Sequence, residues 1–76
     1  MMNKTELKRV LSKNNIPECY YNIDGYGETD QKICMEEEGD RWKVYYTERG
    51  AVSRLNYYDS ESEACKGVLK LFLIIE

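Results

Sequence analysis

The stretch that decides the fold is residues 41–58, which read RWKVYYTERGAVSRLNYY. Apolar and polar positions alternate along its first half, as they do in a strand with one buried face. The face expected to meet the core carries Trp42, Val44 and Tyr46. The face expected to meet water carries Lys43, Tyr45 and Thr47. Turn-forming residues at Glu48-Arg49-Gly50 divide the stretch, so it predicts two antiparallel strands joined by a tight loop.

The chain before this hairpin predicts further strands. Residues 31–36 place Ile33 and Met35 on one face, and Glu38-Gly39-Asp40 has the composition of a second tight loop. Residues 20–23 have the character of one more short strand, and turn residues follow at 24–27. The predicted sheet is therefore an antiparallel meander of three or four strands.

The first helix is predicted over residues 3–14. Leu7 and Leu11 recur at helical spacing and form an apolar stripe. Asn3 is suited to cap the first turn, and Asn14-Asn15 can end the helix through a residue in the left-handed conformation.

The second helix is predicted over residues 60–75. Ser60 and Glu63 have the spacing of a capping box at its start. Its broad apolar face, which includes Cys65 as a core residue, consists of Ala64, Cys65, Val68, Leu69, Leu71, Phe72 and Ile75. Both helices can cover one face of the sheet and leave the other face wet. The sequence thus predicts a single α+β domain over residues 1–76, because 76 residues do not suffice for a second core.

Composition argues against an enzyme and against a resident cofactor. The chain has no histidine, which removes the commonest general base and the commonest zinc ligand. The three cysteines, Cys19, Cys34 and Cys65, are odd in number and widely spaced, which fits neither a disulfide framework nor a zinc motif. Glu36 and Glu38 share a strand face and could hold a divalent cation weakly, so a small metal-dependent protein remains an alternative.

The ends of the sequence bear on location. No apolar stretch follows Lys4, so no secretory signal is predicted, and the longest apolar run, 71–75, is too short to cross a bilayer. We therefore expect a cytoplasmic protein with reduced thiols and no membrane partner.

Charge is distributed unevenly along the chain. The net charge is −3, yet residues 18–40 contain eight acidic residues and only one basic residue, Lys32. This acidic block could dock onto a basic cleft of a partner protein. The alternative is a solvated acidic loop and hairpin that only favours solubility.

Tyrosine is in excess, with seven among 76 residues. Tyr20, Tyr21 and Tyr26 lie within the acidic block, and Tyr45 with Tyr57 or Tyr58 is expected on the open sheet face. Tyrosine provides large contact areas at low entropic cost, so these residues are candidates for recognition. Simple cross-strand packing that stabilises the sheet is the alternative.

The order helix, three strands, helix is similar to that of the double-stranded RNA-binding domain. That domain holds phosphates with basic residues at the start of its second helix. Here the corresponding stretch is Asp59-Ser60-Glu61-Ser62-Glu63, whose three carboxylates would repel phosphate. We therefore predict no direct binding of nucleic acid.

Two stretches together indicate a family, namely 42–50 (WKVYYTERG) and 58–65 (YDSESEAC). With Leu7, Leu11, Ile16-Pro17 and Tyr21, they resemble small immunity proteins of bacterial polymorphic-toxin and contact-dependent inhibition systems, in particular the immunity protein fifty-nine family. The resemblance implies a protein that binds the toxic C-terminal domain of an effector and blocks it, and many such toxins are nucleases with basic clefts.

The predicted function is therefore occlusion of a cognate toxin domain by a monomer or weak dimer. The expected contacts combine acidic and aromatic residues of the acidic block: Tyr20, Tyr21, Asp24, Tyr26, Glu28, Asp30, Glu36, Glu37, Glu38 and Asp40. The alternative is a regulatory interaction module for another cytosolic protein.

Overall fold

The helices and strands follow one another in the predicted order, with one short addition. The computed structural model describes residues 2–23 and 31–74. The elements are α1 (Lys4–Lys13), a short 3-10 helix (Glu18–Tyr20), β1 (Tyr21–Asn22), β2 (Lys32–Glu38), β3 (Arg41–Glu48), β4 (Ala51–Tyr58) and α2 (Glu61–Leu71). The protein is thus α+β, with a four-stranded sheet in the spatial order β1-β2-β3-β4.

The sheet is mixed, which corrects the prediction of a wholly antiparallel meander. β2, β3 and β4 are antiparallel as expected, but β1 runs parallel to β2. Tyr21 pairs with Ile33, and both side chains are buried in the core. β1 has only two residues, so its sequence carries too little local pattern to indicate its direction.

Both predicted hairpin loops are present, and their backbone explains their residues. Gly39 has φ 66° in the β2–β3 loop, the left-handed region where glycine has no steric penalty. In the β3–β4 loop Arg49 has φ 52° and Gly50 has φ 80°. Two successive positive values are the requirement of a type I′ hairpin loop, whose twist matches that of the strands.

β4 contains an irregularity that explains its imperfect alternation in the sequence. The register of β3 and β4 shifts between Val44 and Tyr46, and Arg54 has φ 56°. An extra residue in one strand of an antiparallel pair bends that strand and increases its twist. A single alternating pattern therefore cannot describe the whole of β4.

The core joins both helices to the strands. Its fully or nearly buried members are Leu7, Leu11, Tyr21, Ile23, Ile33, Met35, Val44, Ala64, Cys65, Val68 and Leu69. Val44 is buried, and Trp42 and Tyr46 pack against the same cluster, which confirms the core face predicted for β3. The burial of Cys65 is likewise as predicted.

Both helices begin at the N-caps that the sequence predicts. The side-chain oxygens of Asn3 and Ser60 accept hydrogen bonds from the backbone N–H groups of Glu6 and Glu63, at 3.0 and 3.2 Å. α1 ends through Asn15 with φ 63°, as expected. Neither described helix has the length and apolar content that crossing a membrane requires.

α2 ends at Leu71, earlier than the predicted boundary of 75. Leu73 adopts φ 60°, and the backbone N–H of Ile74 donates to the carbonyl oxygen of Leu69 at 2.9 Å. This is the six-residue closure of a Schellman motif, in which an apolar contact usually accompanies the cap. Apolar residues continue beyond the cap in the sequence, so their pattern did not indicate where α2 ends.

The exposure predicted for the other face of β3 is wrong for two of three residues. Tyr45 and Thr47 retain only 8% and 6% of their accessible surface. Strand alternation places them on the face opposite the core, as expected, but that face is not open at their positions.

Gly67 allows α2 to approach β4 closely. A Cβ at this position would lie 2.6 Å from the ring of Tyr58. Gly67→Ala gains about 1 kcal/mol of helix propensity but overpacks the contact, which typically costs about 1–3 kcal/mol. We expect a lower free energy of unfolding in urea. In a Tyr58→Ala background the same change should become stabilising, and Lys66→Ala serves as an exposed control on the same helix. An increase in stability from Gly67→Ala alone would contradict this packing.

Burial gives the Cys65 thiol a measurable effect on alkaline stability. Burial, reinforced by the charge of Glu61, raises the pKa of Cys65 to about 11 from an ordinary value of 9.0. Between these values the unfolded chain loses the proton and the folded chain keeps it. The contribution of this thiol to the free energy of unfolding is therefore fully present below pH 9. It is lost as the pH rises toward 11, by up to about 1.4 kcal/mol per pH unit. Denaturant titrations at successive pH values should show a shallower decline for Cys65→Ala. Equal slopes for both proteins would exclude a contribution from this thiol.

Candidate partner-binding surface

The predicted contact residues do not form one continuous surface in the described part of the chain. Asp24, Tyr26, Glu28 and Asp30 lie outside the described residues. Tyr20 is exposed on the 3-10 helix, but the neighbouring Tyr21 is a core residue. A buried side chain offers no contact area, so Tyr21 is removed from the candidate set.

Strand geometry separates the acidic residues near the β2–β3 loop. Because successive side chains of a strand point to opposite faces, Glu37 lies on the face opposite to Glu36 and Glu38. Asp40 lies in the loop itself. Glu37, Glu38 and Asp40 are exposed, whereas Glu36 is half-buried. We call these three exposed residues the acidic tip.

Lys43 binds the two carboxylates that share its face. Its Nζ lies 3.1 Å from Glu36 Oε1 and 3.8 Å from Glu38 Oε2. The hydrogen bond with Glu36 raises the pKa of Lys43. The ammonium group thus takes the place that a divalent cation would need between these two carboxylates, and the described residues contain no cluster of three or more His, Cys, Asp or Glu side chains that could hold a metal ion.

Tyr45 is held in the same network. Its hydroxyl donates to Glu36 Oε2 at 3.4 Å, and Lys43 Nζ lies 5.2 Å from the centre of its ring. Burial strongly raises the pKa of Tyr45, so the phenol stays protonated and remains a donor. Tyr45 therefore serves the sheet itself, in line with the cross-strand alternative.

Two small side chains complete this buried patch beside Tyr45. Cys34 pairs with Tyr45 across the strands and is buried, and burial raises the pKa of its thiol. The Thr47 hydroxyl oxygen is buried and has no hydrogen-bond partner among the described residues. A protonated, buried thiol without a histidine is a poor nucleophile, so the patch does not resemble a catalytic site.

An exposed apolar surface lies next to this network, on β4. Val52, Leu55 and Tyr57 retain 56%, 45% and 43% of their accessible surface. We call these three residues the β4 strip. Arg41 lies over the ring of Tyr57, with 4.4 Å between the guanidinium carbon and the ring centre.

The strip borders a hollow that sequence reasoning did not identify. Its volume is about 300 Å³, and it is lined by Lys43, Tyr45, Val52 and Leu55. The bulge at Arg54 obscures the alternation of β4, so the sequence shows neither which apolar residues share a face nor that they remain uncovered. An apolar centre with charged residues at its rim is the usual anatomy of a protein–protein interface.

Comparison with known proteins yields no relative: no family model, no curated protein and no solved structure matches this chain.

The two neighbouring glutamates of β2 should differ in their effect on stability. Glu36→Gln weakens the ion pair with Lys43 and the hydrogen bond from Tyr45, and we expect a loss of about 1 kcal/mol. Glu37→Gln changes an exposed carboxylate on the other face and should stay within about 0.5 kcal/mol of the wild type. Urea denaturation of both variants provides the test. Equal effects would show that the network on the Glu36 face contributes nothing.

Proposed function

We propose that this protein is an immunity protein that binds a bacterial toxin domain in the cytosol of the producing cell and blocks it by occlusion. The observation that carries the proposal is the β4 strip, an exposed apolar surface bordered by charged residues. The resemblance of residues 42–50 and 58–65 to immunity proteins supplies the class of partner. The absence of histidine agrees with a binding role.

The proposal takes both helices to cover one face of the sheet and the partner to bind at the other. The shared core of Leu7, Leu11, Met35, Val44 and Val68 supports this arrangement. The β4 strip then lies on the uncovered side, beside Lys43 and Tyr45.

Two further contacts of the proposal are the charged acidic tip and the exposed aromatic side chain of Tyr20. Because the carboxylates of the acidic tip are exposed, their charge can steer a basic cleft toward the protein and accelerate association. Glu36 acts mainly within the chain, because Lys43 and Tyr45 already use both of its oxygens.

The test is the growth of bacteria that express the C-terminal toxin domain encoded by the gene immediately upstream. The domain should arrest growth, and co-expression of this protein should restore it. With purified components, Asp40→Lys should slow association several-fold at low salt, since it reverses an exposed charge of the acidic tip in the β2–β3 loop. Glu6→Lys, the same charge reversal at an exposed position of α1, is the matched control.

Failure of the wild-type protein to restore growth would refute the toxin assignment. Recovery of an unrelated cytosolic protein as a stoichiometric partner would instead favour the regulatory interaction module. Equal association rates for the two charge variants would remove the acidic tip from the interface.

A further inference from the structure

β4 presents a long free edge. It is the last strand of the sheet, and no described strand pairs with its outer side. Every residue from Ala51 to Tyr57 is exposed. A strand edge with unpaired N–H and C=O groups is a template for another strand, and soluble proteins usually protect it.

The face of the sheet beside this edge can take an apolar side chain. The hollow of about 300 Å³ is lined by Lys43, Tyr45, Val52 and Leu55. A segment that adds to the edge places every second side chain over this face. The edge would supply main-chain hydrogen bonds and the hollow would supply selectivity, as in other cases of strand addition.

The charge of this region is opposite to that of the whole chain. Residues 41–58 contain four basic residues and one acidic residue, whereas the chain as a whole has a net charge of −3. Lys43 is shared between two carboxylates, but Arg41 and Arg54 form no ion pair with a described residue. A segment with carboxylates beside its apolar residues is therefore complementary to this edge.

A second copy of the chain fits the edge poorly. Arg54 lies near the middle of β4, so two antiparallel copies of the strand would bring their Arg54 residues next to each other. The same arrangement would place the irregular backbone segments of the two strands side by side, where Arg54 has φ 56°. Bulges and central charges are the devices by which edge strands avoid self-association.

We propose that β4 binds an extended acidic and apolar segment of the partner protein as a fifth strand, with one apolar side chain of that segment in the hollow. This inference rests on the proposed function in assigning the segment to the toxin domain. It adds a second contact region, of opposite charge to the acidic tip.

The test uses isotope-labelled full-length protein and two synthetic peptides, so it does not depend on the toxin. One peptide alternates glutamate with valine and leucine, and its twin carries lysine in place of glutamate. The acidic peptide should shift the amide resonances of β4 and of Lys43 and Tyr45. The lysine peptide should not, although the net charge of the protein favours it.

Variants locate the interaction. Leu55→Ala removes one wall of the hollow at an exposed position and should weaken binding of the acidic peptide about tenfold. Arg54→Glu should also weaken binding of the acidic peptide, and by a larger factor in low salt than in high salt. Arg9→Glu, the same charge change on exposed α1, is the matched control and should leave binding unchanged.

Several outcomes would overturn the inference. They are stronger binding of the lysine peptide, shifts outside the β4 region, or tighter binding of a single-stranded RNA oligonucleotide to β4. Concentration-dependent dimerisation that Leu55→Ala abolishes would assign the edge to a second copy. Growth rescue without peptide binding would refute only this inference, and peptide binding without rescue would refute only the toxin assignment.

Discussion

β3 is paired along its length with β2 on one side and β4 on the other, and this double pairing assigns each of its side chains to one face of the sheet. Val44 enters the core shared by the helices, and Lys43 and Tyr45 lie on the opposite face. A slip of one residue would exchange the two sets and expose the core residues to water. The hairpin loops at Gly39 and Gly50 maintain the register because their left-handed backbone sets the loop length.

The face of the sheet that carries Lys43 and Tyr45 is divided into a closed part and an open part. Cys34, Tyr45 and Thr47 are buried, and Glu36 joins Lys43 to the hydroxyl of Tyr45. Toward β4 the same face becomes open and apolar. Polar groups that bond to one another are not available to a partner without a desolvation cost, whereas exposed apolar side chains gain from being covered. The open part is therefore the better foundation for a proposed interface.

The proposed interface combines two neighbouring regions of opposite charge. The acidic tip lies at the β2–β3 loop, and the basic residues of 41–58 lie along β3 and β4. A partner that satisfies both needs a basic surface next to an acidic and apolar segment. Such a pattern suppresses wrong partners more effectively than a single patch of charge does, because each mismatch places like charges together.

The sequence by itself determined the helices, their N-caps, the three antiparallel strands and both loops, since these depend on local periodicity and on residues such as Asn3, Ser60 and Gly39 that act within a few positions. It did not determine that β1 runs parallel to β2, because a two-residue strand carries no local signal of its direction. Nor did the sequence show that Glu36 is engaged within the chain whereas Glu37 is exposed. That difference arises only when the fold brings Lys43 and Tyr45 alongside β2. The exposed strip and the hollow were likewise decided by tertiary structure, since only the assembled sheet shows that β4 is an edge and that nothing described covers Leu55.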